Sequence, residues 1–214
     1  MIKCLFFDFD GVITETINVK TQAFRDLFSD YPEAIEEIAR YHRGNGGISR
    51  FVKIRHIYNE ILKKNLTEPM FEQLCQRYSK LVKEKVINAD LVPGAQELLD
   101  YAFGKFKMFV VSGTPQEEMR EIVKKRRMDK YFQGIYGAPT TKSDIINKIL
   151  REESLKKNEV IFVGDAVNDF EAAVHAGIRF CARVTPDSGE WIKDNRIEVK
   201  VSDLDEFNRY LNKD

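Results

Sequence analysis

The chain opens with a nearly unbroken apolar run over residues 2–7, and the run ends in Asp8-Phe9-Asp10-Gly11. A strand apolar toward both of its sides has no face to offer water. It belongs inside a parallel sheet covered on both faces. Side chains on a strand repeat their direction every second residue, so Asp8 and Asp10 share a side, roughly 7 Å apart. Two carboxylates at the tip of a buried strand repel each other unless a cation or a proton separates them. The first ten residues therefore call for a divalent metal, a shared proton, or both.

Beyond this strand, expected over 2–9, the pattern turns helical. Stretches at 16–28, 32–43, 49–63 and 69–87 carry helical periodicity, the last opened by Thr67, Glu68 and Pro69. No strand is expected between Glu15 and Asp90. From Pro93 onward strands and helices alternate. Strands are expected at 106–111, 134–137, 159–163, 178–184 and 198–201. Helices are expected at 95–103, 142–153, 170–176 and 204–211, with one more starting at Thr114-Pro115-Gln116-Glu117, which reads as a capping box. Gly177 marks a helix end. Alternation of this kind implies a parallel α/β sheet with right-handed crossovers. The predicted fold is α/β, with a Rossmann-like parallel core over 1–15 and 91–214 and an inserted all-helical cap domain over 16–90.

Composition narrows the partners. Lys plus Arg and Asp plus Glu number 34 each, so no basic field draws the chain to nucleic acid or an anionic membrane. Lys124-Lys125-Arg126-Arg127 reads as a solvated helix face, with a phosphate patch as the other reading. Cys4, Cys75 and Cys181 form no CxxC pair, and Cys4 and Cys181 read as buried free thiols. No apolar run approaches the ~20 residues that span a bilayer, and no leader pattern is visible. These features place the chain in the cytoplasm, expected as a monomer.

Ligands of open α/β sheets bind beyond the carboxyl ends of the strands. Collected there are Asp8, Asp10 and Gly11, then Ser112, Gly113 and Thr114, then Thr140, Thr141 and Lys142, then Gly164, Asp165 and Asp169. Hard carboxylate oxygens suit Mg²⁺. A hydroxyl, an ammonium and exposed N–H groups suit a phosphate. The set describes a phosphoryl-transfer site whose nucleophile can be a carboxylate.

The same residues resemble the haloacid dehalogenase superfamily, motif by motif and in order. Asp8-Phe9-Asp10-Gly11-Val12 is similar to its first motif and Val110-Val111-Ser112-Gly113 to its second. Lys142 fits the third, and Gly164-Asp165-Ala166-Val167-Asn168-Asp169 fits the fourth. The resemblance implies Asp8 as nucleophile and Asp10 as the general acid, then base, with its side chain turned to the cap and carrying the proton. It implies Mg²⁺ held by Asp8, the Asp10 carbonyl and Asp165, with Asp169 supporting the metal site. Ser112, the Gly113 amide and Lys142 would bind the phosphoryl group. Asp10 itself favours phosphatases and phosphomutases, since dehalogenases lack a second Asp there.

Within the superfamily the chain resembles the β-phosphoglucomutase and small-phosphatase group. The expected substrate is a small phosphomonoester, a sugar phosphate or a phosphoglycolate-like acid. Two departures favour a phosphatase over a phosphosugar mutase. Lys20 stands where the mutase has a hinge His, and Gly164-Asp165 with Asp169 is the phosphatase form of the fourth motif. A binding module on an inactive scaffold is the third reading, and the intact acidic set argues against it. In the cap, 41–50 carries three glycines that let backbone approach a ligand. Arg43, Asn45 and Arg50 are the candidate specificity residues there, with His42 a further hydroxyl binder. Glu15 and Lys20 read equally as hinge or rim residues and as an ordinary helix start. His56 and His175 read as packing residues, and Trp191 is assigned no role.

Overall fold

The computed structural model describes residues 1–213; Asp214, the last position assigned to the core, lies outside the described residues. Six parallel strands form one sheet: β1 (Cys4–Phe7), β2 (Lys107–Pro115), β3 (Gly134–Ala138), β4 (Val160–Gly164), β5 (Arg179–Arg183) and β6 (Val199–Val201), in the order β3-β2-β1-β4-β5-β6. The first strand is central, as its two apolar sides require. Leu5 and Phe7 enter the apolar cluster on one face, and Cys4 and Phe6 enter the cluster on the other.

Helices α1 (Ile17–Leu27), α2 (Ile35–Gly44), α3 (Arg50–His56) and α4 (Glu68–Ile87) intervene between β1 and the rest of the core. They carry no strand, and α3 runs on as a π-helical turn, Ile57–Ile61. The core adds α5 (Ala95–Ala102), α6 (Gln116–Lys125), α7 (Lys142–Glu152), α8 (Val167–Ala176) and α9 (Leu204–Leu211). On the outgoing and returning segments, Glu15 N donates to Asp90 O at 2.9 Å and Val92 N donates to Ile13 O at 3.1 Å. The two segments thus cross between core and inserted helices side by side.

The chain steps from β1 outward to β2 and β3, then returns to the far side of β1 to lay down β4. Direction reverses at β1, which opens a crevice at its carboxyl end between β2 and β4. Register then sets the site: Phe7 lies beside Val110 on one side and Val163 on the other. The next residues on all three chains, beginning with Asp8, Val111-Ser112 and Gly164-Asp165, emerge into one crevice.

One expected element start is corrected. The helix placed at Thr114 begins at Gln116, and β2 continues to Pro115. Thr114 caps nothing, because its hydroxyl is engaged by Lys20 and Asp10. Two residues of the basic run that closes α6 are engaged within the fold rather than presented to a phosphate. Arg126 donates to the carbonyls of Val86 and Ile87 at the end of α4, and Lys125 pairs with Glu84 and Glu121.

Candidate active site

At the crevice floor Asp8 is 2% exposed. Its Oδ1 accepts from its neighbour's amide, Phe9 N, at 2.6 Å, and its Oδ2 accepts from Lys142 Nζ at 2.7 Å. Lys142 is the first residue of α7, placed there by its N-cap Thr141, whose hydroxyl accepts from Asp144 N at 3.2 Å. The same ammonium donates to Asp169 Oδ1, while Asp169 Oδ2 accepts from Ala166 N at 3.2 Å. Asp169 is thus fully occupied in holding Lys142 and the start of α8. Burial alone would lower the lysine, but Asp169 and Asp8 outweigh it and keep Lys142 charged.

Asp165 is placed differently. Its carboxylate accepts no hydrogen bond from any described residue. Burial first, then the nearby Asp169 and Asp8, push it well above the usual carboxylate range. Oxygens of Asp8, Asp165 and Asp169 lie within 4.8 Å of one another. An all-oxygen cluster with one unpartnered, strongly repelled carboxylate fits a hard divalent cation, which would supply the missing positive charge.

Asp10 stands apart from this cluster, turned toward the inserted helices as expected, but its protonation is not as expected. Thr16 Oγ1 donates to its Oδ1 at 2.7 Å, Thr114 Oγ1 donates to its Oδ2 at 3.1 Å, and Lys20 Nζ pairs with Oδ2. Burial raises the carboxyl, yet Lys20 and the hydroxyls overcome it and hold Asp10 below its ordinary value. Lys20 takes the hinge or rim place that was one of its two readings, whereas Thr16 was read only as the start of a helix. Their spacing of four brings both to one side of the first turn of α1. Glu15 goes elsewhere, to Arg183 at the end of β5, whose Nη1 also donates to Gly11 O at 2.8 Å.

The glycine-rich cap loop reaches the strand tips. Asn168 Nδ2 donates to Gly47 O at 3.2 Å, and a Cβ at Gly47 would lie 3.2 Å from Lys142 Nζ. Gly47 also has φ +73°, which other residues rarely adopt. On the core side a Cβ at Gly113 would collide with Gly47 O, so both partners of this contact require glycine. Ser112 is buried, and its Oγ accepts from Thr114 N at 3.1 Å. The inserted helices therefore reach down onto the crevice and, with the strand tips, line a partly open cavity of about 200 Å³.

Of the three cap candidates, one lines this cavity freely. Arg43 does so and makes no ion pair with any described residue. Asn45 is absent from the lining, its Nδ2 donating to Tyr41 O at 2.8 Å within its own helix. Arg50 is 5% exposed and committed to the core. Its Nη1 donates to Ser79 Oγ at 2.6 Å and to Glu118 Oε2 at 2.9 Å, with a second contact from Nη2 to Glu118. Residues not anticipated also line the cavity, among them Lys53, Thr185, Asp187 and Trp191. Lys53 had a signal. Arg50, Lys53, Ile54 and Ile57 follow helical spacing, so a lysine sits on an apolar stripe.

A parallel sheet reversing at its central strand, with three acids and a lysine gathered at the reversal, defines an enzyme of the hydrolase class. A family model, haloacid dehalogenase-like hydrolase, matches residues 5–183, and the chain belongs to that family. It is similar to a phosphoglycolate phosphatase from Aliivibrio fischeri, 25% identical over 94% of this chain and 92% of that one. A phosphorylated carbohydrates phosphatase from Thermotoga maritima is 24% identical, covering 83% of this chain and 82% of its own. Among solved structures, a β-phosphoglucomutase from Clostridium difficile superposes with a TM-score of 0.80 at 18% identity, covering 100% of this chain and 96% of that one. No helix among the described residues is long and apolar enough to cross a membrane.

Proposed function

We propose that this enzyme is a Mg²⁺-dependent phosphatase that hydrolyses a small phosphomonoester through an aspartyl-phosphate. The observation that carries the reading is the Lys142 ammonium shared between Asp8 and Asp169 beside an unpartnered Asp165. Asp8, Asp165 and the Asp10 carbonyl would hold the Mg²⁺, which when bound offsets the charge of the phosphate dianion. Asp8 forms a bond from a carboxylate oxygen to phosphorus as the ester P–O bond breaks. Asp10 gives its proton to the departing alkoxide, a poor leaving group without one. Water then attacks the phosphorus, its proton returns to Asp10, and the Asp8–phosphorus link breaks to release phosphate. The hydrogen bonds that hold Asp10 below its ordinary value suit the second half of that cycle, in which it accepts a proton. Ser112, the Gly113 amide and Lys142 hold the phosphoryl oxygens throughout.

In this reading residues 16–90 form the cap and 1–15 with 91–214 the core, and closure of the cap excludes bulk water. The enzyme acts as a cytoplasmic monomer on a sugar phosphate or a phosphoglycolate-like acid, the classes named for its phosphatase relatives. A phosphosugar mutase is the second reading: Lys20 reaches Asp10 from the hinge position, although as a lysine where the mutase has a His. Against it, Arg50, one of the candidate specificity residues of the cap, is tied to Glu118.

A phosphate-release screen over p-nitrophenyl phosphate, sugar phosphates and phospho-acids tests this. Release that requires Mg²⁺ and drops by about 10³-fold or more in Asp8→Asn is expected. Isomer formation without released phosphate would establish the mutase instead, and no turnover of any phosphoester would overturn both.

A further inference from the structure

Four cationic side chains line the cavity: Lys20, Arg43, Arg50 and Lys53. Two are neutralised, Lys20 by Asp10 and Arg50 by Glu118. The remaining pair differ in depth. Arg43 is exposed at the rim, whereas Lys53 is 3% exposed within the cavity wall. Lys53 Nζ lies 3.0 Å from His42 Nδ1 and donates to His42 O at 3.3 Å. Both contacts are on one neutral residue, and no carboxylate among the described residues reaches the ammonium.

This is an unusual place for a lysine. A buried cation without a counter-ion is costly, and such groups collect where a ligand supplies the opposite charge. His42 itself is packed against Phe24, with ring centroids 4.6 Å apart. Burial, then Lys53, Lys20 and Arg43, hold the imidazole well below its usual range, so it stays neutral and presents a lone pair to the ammonium. The imidazole aims Lys53 without cancelling its charge.

We infer that Lys53, oriented by His42 and assisted by Arg43 at the rim, is the specificity-determining cation for a second anionic group on the substrate, a carboxylate or a distal phosphate. This rests on the phosphatase reading above and narrows it: substrates with one phosphate and no other anion leave Lys53 uncompensated. Arg50, also a candidate specificity residue, is unavailable because Glu118 already holds it.

The test is calorimetric titration of the full chain in saturating Mg²⁺ with three probes that cannot be hydrolysed. Ethylphosphonate carries no second anion, phosphonoacetate adds a carboxylate, and propane-1,3-diphosphonate adds a second phosphonate. The wild type is expected to prefer at least one two-anion probe to ethylphosphonate by about tenfold or more. The larger ratio identifies the group. In Lys53→Met that ratio should fall to near unity, and Lys53→Arg should restore part of it. Equal binding of all three probes by the wild type overturns the inference. So does a folded Lys53→Met variant that keeps the ratio. Probe binding needs no turnover, so an intact preference without phosphate release would remove the phosphatase reading alone.

Discussion

Lys53 shows how a single side chain can set both selectivity and stability. Burial, then Lys20 and Lys142, push its ammonium down to about 7, against a weaker pull upward from Asp165 and Asp10. His42, Lys20 and Arg43 complete the charged and titratable groups around this corner of the cavity. A lysine whose folded value lies below its unfolded 10.5 binds fewer protons in the native state between those two limits. Stability therefore rises with pH from about 7 to 10.5 on its account, and the full penalty applies below 7. Lys53→Met should melt at a higher temperature than the wild type without ligand. The gap should widen as pH falls from 10.5 toward 7 and then level off. Thermal denaturation across that range checks this, and a pH-independent gap would refute it. The trade is the familiar one of a binding group held at a cost to the fold.

At the scale of elements, the cap hangs on few polar contacts, and the Arg50–Glu118–Ser79 cluster joining α3, α6 and α4 is the most buried of them. Removing one member of such a pair strands a buried charge, at roughly 3–5 kcal/mol. Glu118→Ala should lose about that much in urea denaturation, while Arg50→Met with Glu118→Leu together should lose less. Equal losses in the single and double variants would show that the charges matter only as bulk. Much of this architecture was legible beforehand. Helices α7 and α9 and all six strands lie close to where periodicity and turn residues placed them, because their local signals agree with their tertiary surroundings. That Asp8, Lys142, Asp165 and Asp169 gather in one crevice was legible because each lies at a strand tip or in the first turn of a helix beside one. The fate of Arg50 was not, because it depends on Glu118, 68 residues away in the chain; Asn45 turns back to Tyr41 O within its own helix end, and of the three Arg43 alone keeps an unpaired place in the lining. Thr114 misled for a related reason: its pattern matches a helix cap, but its hydroxyl is claimed across the cap–core boundary.

For the whole molecule, the Mg²⁺ site proposed above makes the acidic cluster a matter of stability as well as catalysis. Asp165 is repelled by both neighbouring aspartates in the metal-free protein. A cation that binds only the native state adds about 2.7 kcal/mol at a hundredfold excess over its dissociation constant. In a chain of this length that corresponds to a rise of roughly 5–10 °C on exchanging EDTA for Mg²⁺. Asp165→Asn should melt higher than the wild type in EDTA and lose most of the Mg²⁺ response; a response that survives the substitution would place the ion elsewhere. The sheet order carries a consequence for biosynthesis. Residue 4 pairs with residue 107 on one side and residue 160 on the other. On the ribosome the central strand emerges first and waits for both neighbours while the inserted helices, contiguous in sequence, are made. At roughly 5–20 residues per second the wait is on the order of ten seconds. During that interval the apolar segment before Asp8 is unpaired, and the charges of Asp8 and Asp10 just beyond it disfavour premature pairing with another copy.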